Sequence, residues 1–412
     1  MSVAQAVAGI IGNPTGLRLQ AYDGSTAGPG GAPVVVDVRS PRALNYLATG
    51  SGSLGLARAY IMGDLEVDGD LYAAVSELTD LDFDSSLSAR FRALRDLGGF
   101  RLLRRPPIPP QEIKLRGRRH SKARDQAAIS HHYDVSNRFY SWLLGPSMAY
   151  TCAVYPTQSA TLEEAQYAKH DLVARKLGLE PGMTLLDVGC GWGGMVLHAA
   201  QHYGVRVIGV TLSPKQADWG QKAIAEAGLS DLAEIRHLDY RDVPKGQFDA
   251  ISSIGLTEHI GRAQLPRYFT HLYDRLRPGG RLLNHCITRP NNLEPAMREK
   301  QFINRYIFPD GELEGPGHII SVMHDQGFEV RHEENLREHY AKTLTAWSAN
   351  LEQNWDASVA EIGPAKARTW RLYLVGSRIG FERNDIQLHQ VLGVKLKPGA
   401  VSGMPLRPTW LS

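Results

Sequence analysis

Cysteine is scarce in this chain: Cys152, Cys190 and Cys286 are the only three in 412 residues. Their scatter gives neither a zinc-type spacing nor a disulfide framework, so we expect no metal site and a reducing compartment. Long apolar runs are also missing, since no stretch has the roughly 20 predominantly apolar residues that span a bilayer. The N-terminus lacks the basic start of a signal peptide. We therefore expect a cytoplasmic protein with one large or two ordinary domains.

Net charge is small, +3 for the whole chain, but it is unevenly distributed. The segment from Arg101 to Arg124 holds nine Lys or Arg residues, four prolines and a single acid, Glu112. The prolines predict an irregular linker with a basic surface. Such a linker is either a solvated connector or a contact for anionic phosphates of lipid or nucleic acid, and charge alone does not separate these readings.

The chain divides by pattern into three parts. Residues 1–105 mix helical periodicity with Gly-rich turns and predict a small, mostly helical domain. Residues 106–124 form the basic, Pro-rich linker. Residues 125–412 alternate short apolar runs with helical segments such as 162–178 and 214–227, which predicts an α/β fold with a parallel, doubly wound sheet. The strand-like runs are MTLLDVG, VRVIGVT, AEIRHL, FDAISSI and GRLLNHC.

A glycine turn follows the first of these strands in the stretch LLDVGCGWGG. Gly189, Gly191 and Gly194 satisfy G-x-G-x-x-G, which by itself is a weak dinucleotide signal. A dinucleotide fold needs an acid at the end of the second strand, and Thr211 stands there instead. Asp187 precedes the glycines and, with Gly193, gives D-x-G-x-G-x-G. This arrangement resembles the first motif of Rossmann-like S-adenosylmethionine (SAM) methyltransferases.

Other residues near the predicted cofactor site are assigned from their place in this fold. Asp239 and Tyr240, after the third strand, are expected to hold the adenine, and Gln216 to contact the ribose in place of the missing acid. Ordinary loop roles are the alternative for these residues. The cofactor-binding set is completed by residues expected beside the methyl donor: Tyr150, Thr151, Asp187, Gly189, Gly191, Gly193 and Thr211.

Glu258 and His285 follow the fourth strand and end the fifth, so they should emerge at the same edge of the sheet as the glycine turn. Two such groups beside a cofactor loop favour a proton acceptor or an anion-holding site over structural roles. The segment HHYDVSNRFYSWLLGPSMAYTCAVYP is unusually aromatic. Its rings could line a lid, or enclose a cation with about 0.5–2 kcal/mol for each cation–π contact.

A set of longer motifs resembles the cyclopropane-fatty-acyl-phospholipid synthases. The resemblance covers about residues 35 to 395, and GSLGLARAYIMGDLEVD extends it into the first domain, as in the phospholipid branch of that family. The motifs are HYDVSNRFY, YTCAVYP, LLDVGCGWGG, GVTLSPKQ, DYRDV, TEHIG, NRYIFPDG and NDIQLHQV.

The resemblance implies SAM-dependent methyl transfer to a cis double bond of an acyl chain, giving a cyclopropane or a methylene branch. It implies a bound bicarbonate as base, oriented by Glu258 and His285, with a hydrogen bond from Tyr340 and backbone contact near Cys152. Ser377 stands where family members commonly carry a second cysteine, which leaves the product open. Phe302, Tyr306 and Phe308 are candidates for the acyl channel wall, with core packing as an equal alternative.

The implied partners are an unsaturated phospholipid at the inner membrane face, a homodimer mate, and a separate reductase if the product is methylene-branched; no nucleic acid is expected. Asp64 and Leu65 replace the tryptophan pair usual in the first domain, which leaves its contact with lipid open. Two alternatives remain: a SAM methyltransferase acting on a soluble small molecule or RNA, and a non-catalytic lipid-binding relative.

Overall fold

The computed structural model describes residues 1–50, 53–80, 99–113, 117–122, 124–126, 135–246, 248–297 and 301–410. Parts of three predicted segments lie outside these residues: 81–98 of the first domain, several positions of the basic linker, and 131–134 at the start of the aromatic segment. Contacts group the chain into two compact units. The first comprises Met1–Lys114, Arg298–Pro309 and Leu351–Ile379, and the second comprises Leu115–Met297, Asp310–Asn350 and Gly380–Ser412.

This grouping differs from the contiguous division that chain order predicts. Residues 298–309 and 351–379, which fall in the predicted methyltransferase domain, belong to the first unit. The predicted linker 106–124 is shared between the units. Sequence pattern reports local periodicity and not the long-range contacts that define a compact unit, so the returning segments could not be assigned from it.

The first unit contains a small sheet as well as the expected helices. Its strands are β1 (Leu17–Ala21), β2 (Thr26–Ala27), β3 (Val34–Val38) and β4 (Leu65–Asp68), in the order β2-β1-β3-β4. Only the β1–β3 pair is parallel. Its helices are α1 (Val3–Ile10), α2 (Pro41–Thr49), α3 (Ser53–Ile61) and α4 (Leu71–Asp80). Buried aliphatic side chains of the sheet and helices form one core.

Asp64, at the position that lacks the tryptophan pair, has a structural role within this unit. Its carboxylate accepts hydrogen bonds from Ser40 Oγ and Arg42 Nε, each at 2.6 Å, and it is buried. Leu65 begins β4 and is also buried. The pair therefore ties β4 to the start of α2.

The second unit is built on a seven-stranded sheet. Its strands are β5 (Thr184–Val188), β6 (Arg206–Thr211), β7 (Ala233–His237), β8 (Phe248–Ile254), β9 (Leu276–Thr288), β10 (Glu329–Asn335) and β11 (Gln387–Val394). The order is β10-β11-β9-β8-β5-β6-β7. All five strand-like runs of the sequence are strands. The strands β5 to β9 pair in parallel as predicted, whereas β11 runs antiparallel to both of its neighbours.

Helices cover both faces of this sheet, as a doubly wound fold requires. One apolar cluster contains side chains of α6 (Leu162–Leu177) and α7 (Gly194–Tyr203), with part of α8 (Pro214–Glu226). The cluster on the opposite face contains side chains of α9 (Leu265–Arg275) and α11 (Pro316–Asp325). The remaining described helices are α5 (Asn137–Leu144), α10 (Phe302–Tyr306), α12 (Arg337–Gln353), α13 (Trp355–Ile362) and α14 (Pro364–Glu382).

The strand order of this sheet locates a binding site. From β5 the chain proceeds to β6 and β7 on one side, and then to β8 and β9 on the other, so the strand order reverses at β5. Ligands of such sheets bind outside the carboxyl ends of the strands at this reversal.

Among the described residues, no helix is both long enough and apolar enough to cross a membrane.

Candidate active site at the carboxyl ends of the strands

The glycine turn lies at the reversal point, between β5 and α7. Gly189, Gly191 and Gly193 have φ values of 73°, 55° and 91°, which L side chains rarely adopt. A Cβ on Gly191 would meet nothing within 4 Å, so this part of the turn borders open space. The backbone amides of Gly189 and Cys190 both donate to Val210 O, at 2.9 and 3.0 Å. The turn is therefore fixed to β6, and its backbone is open to a ligand.

Asp187 is buried at the end of β5, directly before this turn. Its Oδ1 accepts a hydrogen bond from Ser252 Oγ of β8 at 2.6 Å. Burial raises the pKa of Asp187 to about 6, against the lowering effects of the Ser252 hydrogen bond and the charge of Lys169. The carboxylate is therefore ionised at neutral pH and available to a cationic ligand group beside the turn.

Thr211 and Gln216 form a contact of their own at the end of β6. Thr211 Oγ1 donates to Gln216 Oε1 at 2.7 Å, and both side chains are buried. This bond leaves the amide NH₂ group of Gln216 and one lone pair of its oxygen available for a ribose contact.

Asp239 and Tyr240 lie after β7, near the predicted adenine position. Both carboxylate oxygens of Asp239 accept from the Arg241 guanidinium, at 2.6 and 2.8 Å. Although burial raises it, these bonds hold the pKa of Asp239 below its usual value. The ring of Tyr240 meets Tyr268 edge-on at 5.2 Å between centroids. The adenine role of Asp239 and Tyr240 stays a prediction, and Arg241 is the residue that would compete for the carboxylate.

Helix α6 holds the segment that contains Tyr150 and Thr151. Gln166 Nε2 donates to the carbonyl oxygens of Ala149 and Thr151, at 3.2 and 3.0 Å. Lys169 Nζ donates to Thr151 Oγ1 at 3.0 Å. The helix itself begins at a capping box made by Thr161, which fixes the register of these side chains.

Lys169 is the site residue that sequence reasoning missed. It is 1% exposed, and burial lowers its pKa to about 8. Its charge shifts the pKa values of Cys152, Asp187 and His285, so it lies among three of the predicted site residues. The available signal was a lysine on the apolar face of α6, three residues before Leu172, where a solvated cation is not expected.

An aromatic row connects the glycine turn to Tyr340. Ring centroids are 4.7 Å apart for Trp192 and Tyr140, 6.0 Å for Tyr140 and Tyr150, and 5.4 Å for Tyr150 and Trp347. Trp347 meets Tyr340 edge-on at 6.1 Å. The aromatic segment of the sequence therefore supplies two rings of this row, and their π faces suit a cationic ligand.

Cys152 and Tyr340 are brought together at the start of α12. The carbonyl oxygen of Leu336 accepts from Cys152 Sγ at 3.8 Å and from the backbone amide of Tyr340 at 3.2 Å. Next to them, Ala153 N donates to Thr343 Oγ1 at 3.1 Å. Burial raises the pKa of the Cys152 thiol, which keeps it protonated and unreactive. This thiol is thus suited to a structural or backbone role and not to nucleophilic attack.

His285 is fully buried on β9, and a chain of two hydrogen bonds, from Lys176 to Gln390 and from Gln390 to His285, determines which ring nitrogen carries the proton. Lys176 Nζ, which can only donate, bonds Gln390 Oε1 at 2.8 Å. The amide nitrogen of Gln390 therefore faces His285 Nδ1, at 3.2 Å. Burial and the charges of Lys169 and Lys176 hold the pKa of His285 well below its usual value, so the ring is neutral. Nδ1 must then accept, and the proton resides on Nε2, a buried atom with no hydrogen-bond partner among the described residues.

Glu258, in a short helical turn after β8, is the second buried group with an unused atom. Its Oε1 accepts from the Ile287 amide of β9 at 2.7 Å, whereas Oε2 has no partner in the described structure. Burial raises the pKa of Glu258 to about 7. A small cavity beside it is lined by Cys286 and Ile287, among others. Glu258 therefore contacts β9 at Cys286 and Ile287, whereas His285 contacts Gln390 of β11, and His285 does not line the cavity beside Glu258.

Four predicted residues, Phe302, Tyr306, Phe308 and Ser377, belong to the first unit. Ser377 lies on α14 and is partly exposed. Within that unit Phe302 stacks on Tyr306 at 5.1 Å, and the Tyr306 hydroxyl donates to Glu112 Oε2 at 3.3 Å. Phe308 meets another ring of the unit, Tyr373 of α14, edge-on. These contacts favour core packing for Tyr306, and the channel role of the three aromatic residues stays a prediction.

The family model for mycolic acid cyclopropane synthetase matches residues 120–391. A protein described as "Probable fatty acid methyltransferase Rv3720", from Mycobacterium tuberculosis, is 54% identical over 407 residues, which cover 96% of this chain and 94% of that protein. A "Probable fatty acid methyltransferase" from Pseudomonas putida is 39% identical and covers 92% of each chain.

Solved structures agree with these matches. The cyclopropane synthase MmaA2 from Mycobacterium tuberculosis superposes with a TM-score of 0.62 at 33% identity, over 65% of this chain and 98% of that chain. The mycolic acid cyclopropane synthase CmaA1, in complex with SAH and CTAB, gives 0.62 at 34% identity, over 65% and 97%. The predicted fold and the predicted class of SAM-dependent methyltransferases that modify fatty acyl chains are confirmed: the chain belongs to the mycolic acid cyclopropane synthetase family.

Proposed function

We propose that this chain transfers the methyl group of SAM to a cis double bond in an acyl chain of a membrane phospholipid, with bicarbonate as the proton acceptor. The observation that carries the proposal is the pair of buried, unused polar atoms at the end of β9, His285 Nε2 and Glu258 Oε2. Burying a polar atom without a partner costs about 1–3 kcal/mol, so such a pair is typical of a site that a ligand completes.

The residues present fit a small oxyanion. His285 offers an Nε2–H donor that the Gln390 bond keeps in place. Lys169 and Lys176 contribute positive charge beside it, which favours an anion at the ring. Glu258, whose pKa is raised to about 7, can donate a proton to an anion oxygen or accept a hydrogen bond from it near neutral pH. Tyr340 and the backbone near Cys152 are proposed as further contacts.

The reaction needs a base because of its electron balance. The alkene π electrons form a bond to the methyl carbon, the carbon–sulfur bond breaks, and the sulfonium leaves as a neutral thioether. A cation remains on the acyl chain. Loss of a proton from the transferred methyl closes a cyclopropane; if a hydride first moves from the methylated carbon to its cationic neighbour, the same proton loss gives a methylene branch. Bicarbonate, when bound, supplies the weak base that takes this proton.

The chain's own groups provide the remaining requirements. An alkene is a weak nucleophile, so the methyl donor has to be held close to it in a dry site. The glycine turn and the Tyr150–Thr151 segment would position the donor, and Asp187 would hold its cationic amine. The aromatic row would face the sulfonium and the acyl cation, with about 0.5–2 kcal/mol for each cation–π contact.

The proposal is tested with purified protein, SAM and vesicles that contain a cis-unsaturated phospholipid, followed by mass spectrometry of the acyl chains. We expect each modified chain to gain one carbon and two hydrogens. Ozone distinguishes the two products, because it cleaves a methylene branch and leaves a cyclopropane intact. A separate reductase would be required only to convert a methylene branch into a methyl branch. His285→Ala should bind SAM normally but lose turnover by orders of magnitude. Transfer only to soluble small molecules would contradict the proposal, as would full activity of His285→Ala.

A further inference from the structure

The basic segment of the first unit contains a loop, residues 103–108, that is held in place at both ends. Leu102 is buried, and its carbonyl oxygen accepts from Asn45 Nδ2 at 3.1 Å. The Tyr46 hydroxyl donates to Pro107 O at 2.7 Å. Four prolines between residues 106 and 110 restrict the backbone further. We call residues 103–108 the docking loop. These hydrogen bonds hold its backbone, and therefore also the positions from which its side chains extend.

The docking loop presents two apolar and two cationic side chains to solvent. Leu103 and Ile108 are each 47% exposed. Arg104 and Arg105 lie between them and are exposed as well. The docking loop has no acidic residue. Because no acid of the described residues pairs with Arg104 or Arg105, the side chains combine apolar surface with positive charge.

The second half of the basic segment is different. Lys122 bonds Asp242, and the Arg124 guanidinium bonds both carboxylate oxygens of Asp310, at 2.6 and 2.7 Å. These two charges are neutralised within the second unit. Arg119 lies 3.9 Å from the same Asp310 carboxylate, whereas Arg118 is exposed. Among the described positions of the segment, only Arg104 and Arg105 combine exposed positive charge with exposed apolar neighbours, Leu103 and Ile108.

We propose that the docking loop binds the surface of an anionic phospholipid bilayer. Leu103 and Ile108 enter the boundary between headgroups and acyl chains, and Arg104 and Arg105 bind lipid phosphates. Apolar insertion and a basic flank are the two contributions that hold peripheral proteins on anionic membranes. The inference rests on the proposed function in that a phospholipid substrate requires the chain to reach a bilayer, and it names the surface that does so.

The test is sedimentation of the full chain with vesicles of phosphatidylglycerol and phosphatidylcholine. Each arginine near such a surface contributes about a fivefold increase in binding, so Arg104→Gln/Arg105→Gln should weaken binding by about 25-fold at low salt. Leu103→Gln/Ile108→Gln should weaken it at low and high salt alike, because apolar insertion is not screened. Neutral phosphatidylcholine vesicles should bind wild type weakly.

Matched controls remove the same groups elsewhere. Arg206→Gln/Lys222→Gln removes two exposed cations, and Val401→Gln/Leu406→Gln removes two exposed aliphatic side chains. Both should bind vesicles like wild type. Unchanged binding of the docking-loop variants would overturn the proposal, and so would an equal loss in the controls. Displacement from vesicles by excess single-stranded RNA, dependent on Arg104 and Arg105, would assign the loop to nucleic acid instead.

The outcome is separable from the proposed function. Methyl transfer by the wild-type chain to an unsaturated phospholipid dispersed in detergent reports the chemistry without a bilayer. If that activity is present and the docking-loop variants sediment like wild type, the docking surface alone is wrong. If that activity is absent while sedimentation depends on the docking loop, the proposed function alone is wrong.

Discussion

One nearly isosteric substitution, Gln390→Glu, should reverse the direction of the hydrogen bond between residue 390 and His285 Nδ1. In the native chain the Gln390 amide nitrogen donates to Nδ1, so Nε2 carries the proton and is the atom that we propose as the donor to bicarbonate. A carboxylate at this position would accept from both Lys176 and His285. The neutral imidazole would then hold its proton on Nδ1, and a bare Nε2 lone pair would face the anion.

The expected loss follows from the hydrogen bond that disappears. A hydrogen bond to a charged group contributes about 1.5–3 kcal/mol, and each 1.36 kcal/mol is tenfold in rate, so turnover should fall by about 10- to 150-fold. The carboxylate also raises the His285 pKa, which burial and two lysines hold well below its usual value in the native chain. Protonation restores Nε2–H, so residual activity should be highest at low pH and fall as pH rises through the new pKa.

The assay is the initial rate of methyl transfer to an unsaturated phospholipid between about pH 6 and 8.5, with SAM affinity measured separately by calorimetry. Gln387→Glu is the matched control, because it makes the same change on the same strand at a residue that bonds Asn384 and not His285. The control should keep the wild-type rate and profile. A Gln390→Glu variant with the wild-type rate and an unchanged pH profile would refute the assigned His285 tautomer.

Two further predictions concern Glu258 and the glycine turn. Because burial raises the native pKa of Glu258 from 4.5 to about 7, its protonated form contributes stability that is present at low pH and lost as pH rises through 7. Between about pH 5 and 8, wild type should therefore lose about 2–3 kcal/mol more than Glu258→Gln in urea unfolding, and equal losses would contradict the burial. Gly191→Ala adds a methyl in open space at φ 55° and should cost about 1 kcal/mol of stability while weakening SAM binding in calorimetry. Gly193→Ala places its Cβ 2.5 Å from Ile235 Cδ1 at φ 91°, so it should lower the melting temperature more than Gly191→Ala, and the opposite ranking would count against this geometry.

Local patterns were sufficient for the five parallel strands of the large sheet. The strand-like run FDAISSI is a buried strand, and the helical segment 162–178 matches α6 to within one residue. Strand ends of a parallel sheet share one edge, so the neighbourhood of Glu258, His285 and the glycine turn follows from the order of elements. The antiparallel β11 was not predicted, because its direction depends on pairing with β9 far away in sequence.

The buried lysines show what local pattern cannot supply. Lys169 and Lys176 are seven residues apart on one face of α6. The helical periodicity predicts that this face is buried, whereas lysine side chains are usually exposed to solvent. Their partners come from other elements: Thr151 for Lys169, and Gln390 with Glu334 for Lys176. Only tertiary contact determines whether such a cation is solvated or part of a site.

The first unit was the least predictable part for the same reason. Its core includes Val375 and Ile379 of α14, which lie far from residues 1–105 in sequence. Its small sheet joins β4 to β3 across two helices. A contact between near neighbours was missed as well. The Asp239 carboxylate accepts a hydrogen bond from Arg241, two residues away, and the motif-based assignment of Asp239 to adenine did not include this bond.

The central claim is that the transferred methyl group itself loses a proton, which we propose bicarbonate accepts near His285 and Glu258. Supplying SAM with a fully deuterated methyl group and weighing the modified acyl chain by mass spectrometry tests this directly. The account predicts that two deuterium atoms are retained for each group transferred, whether the product is a ring or a methylene branch. Retention of all three deuterium atoms would show that the proton leaves from another carbon, and transfer to any atom outside the acyl chain would contradict the account altogether.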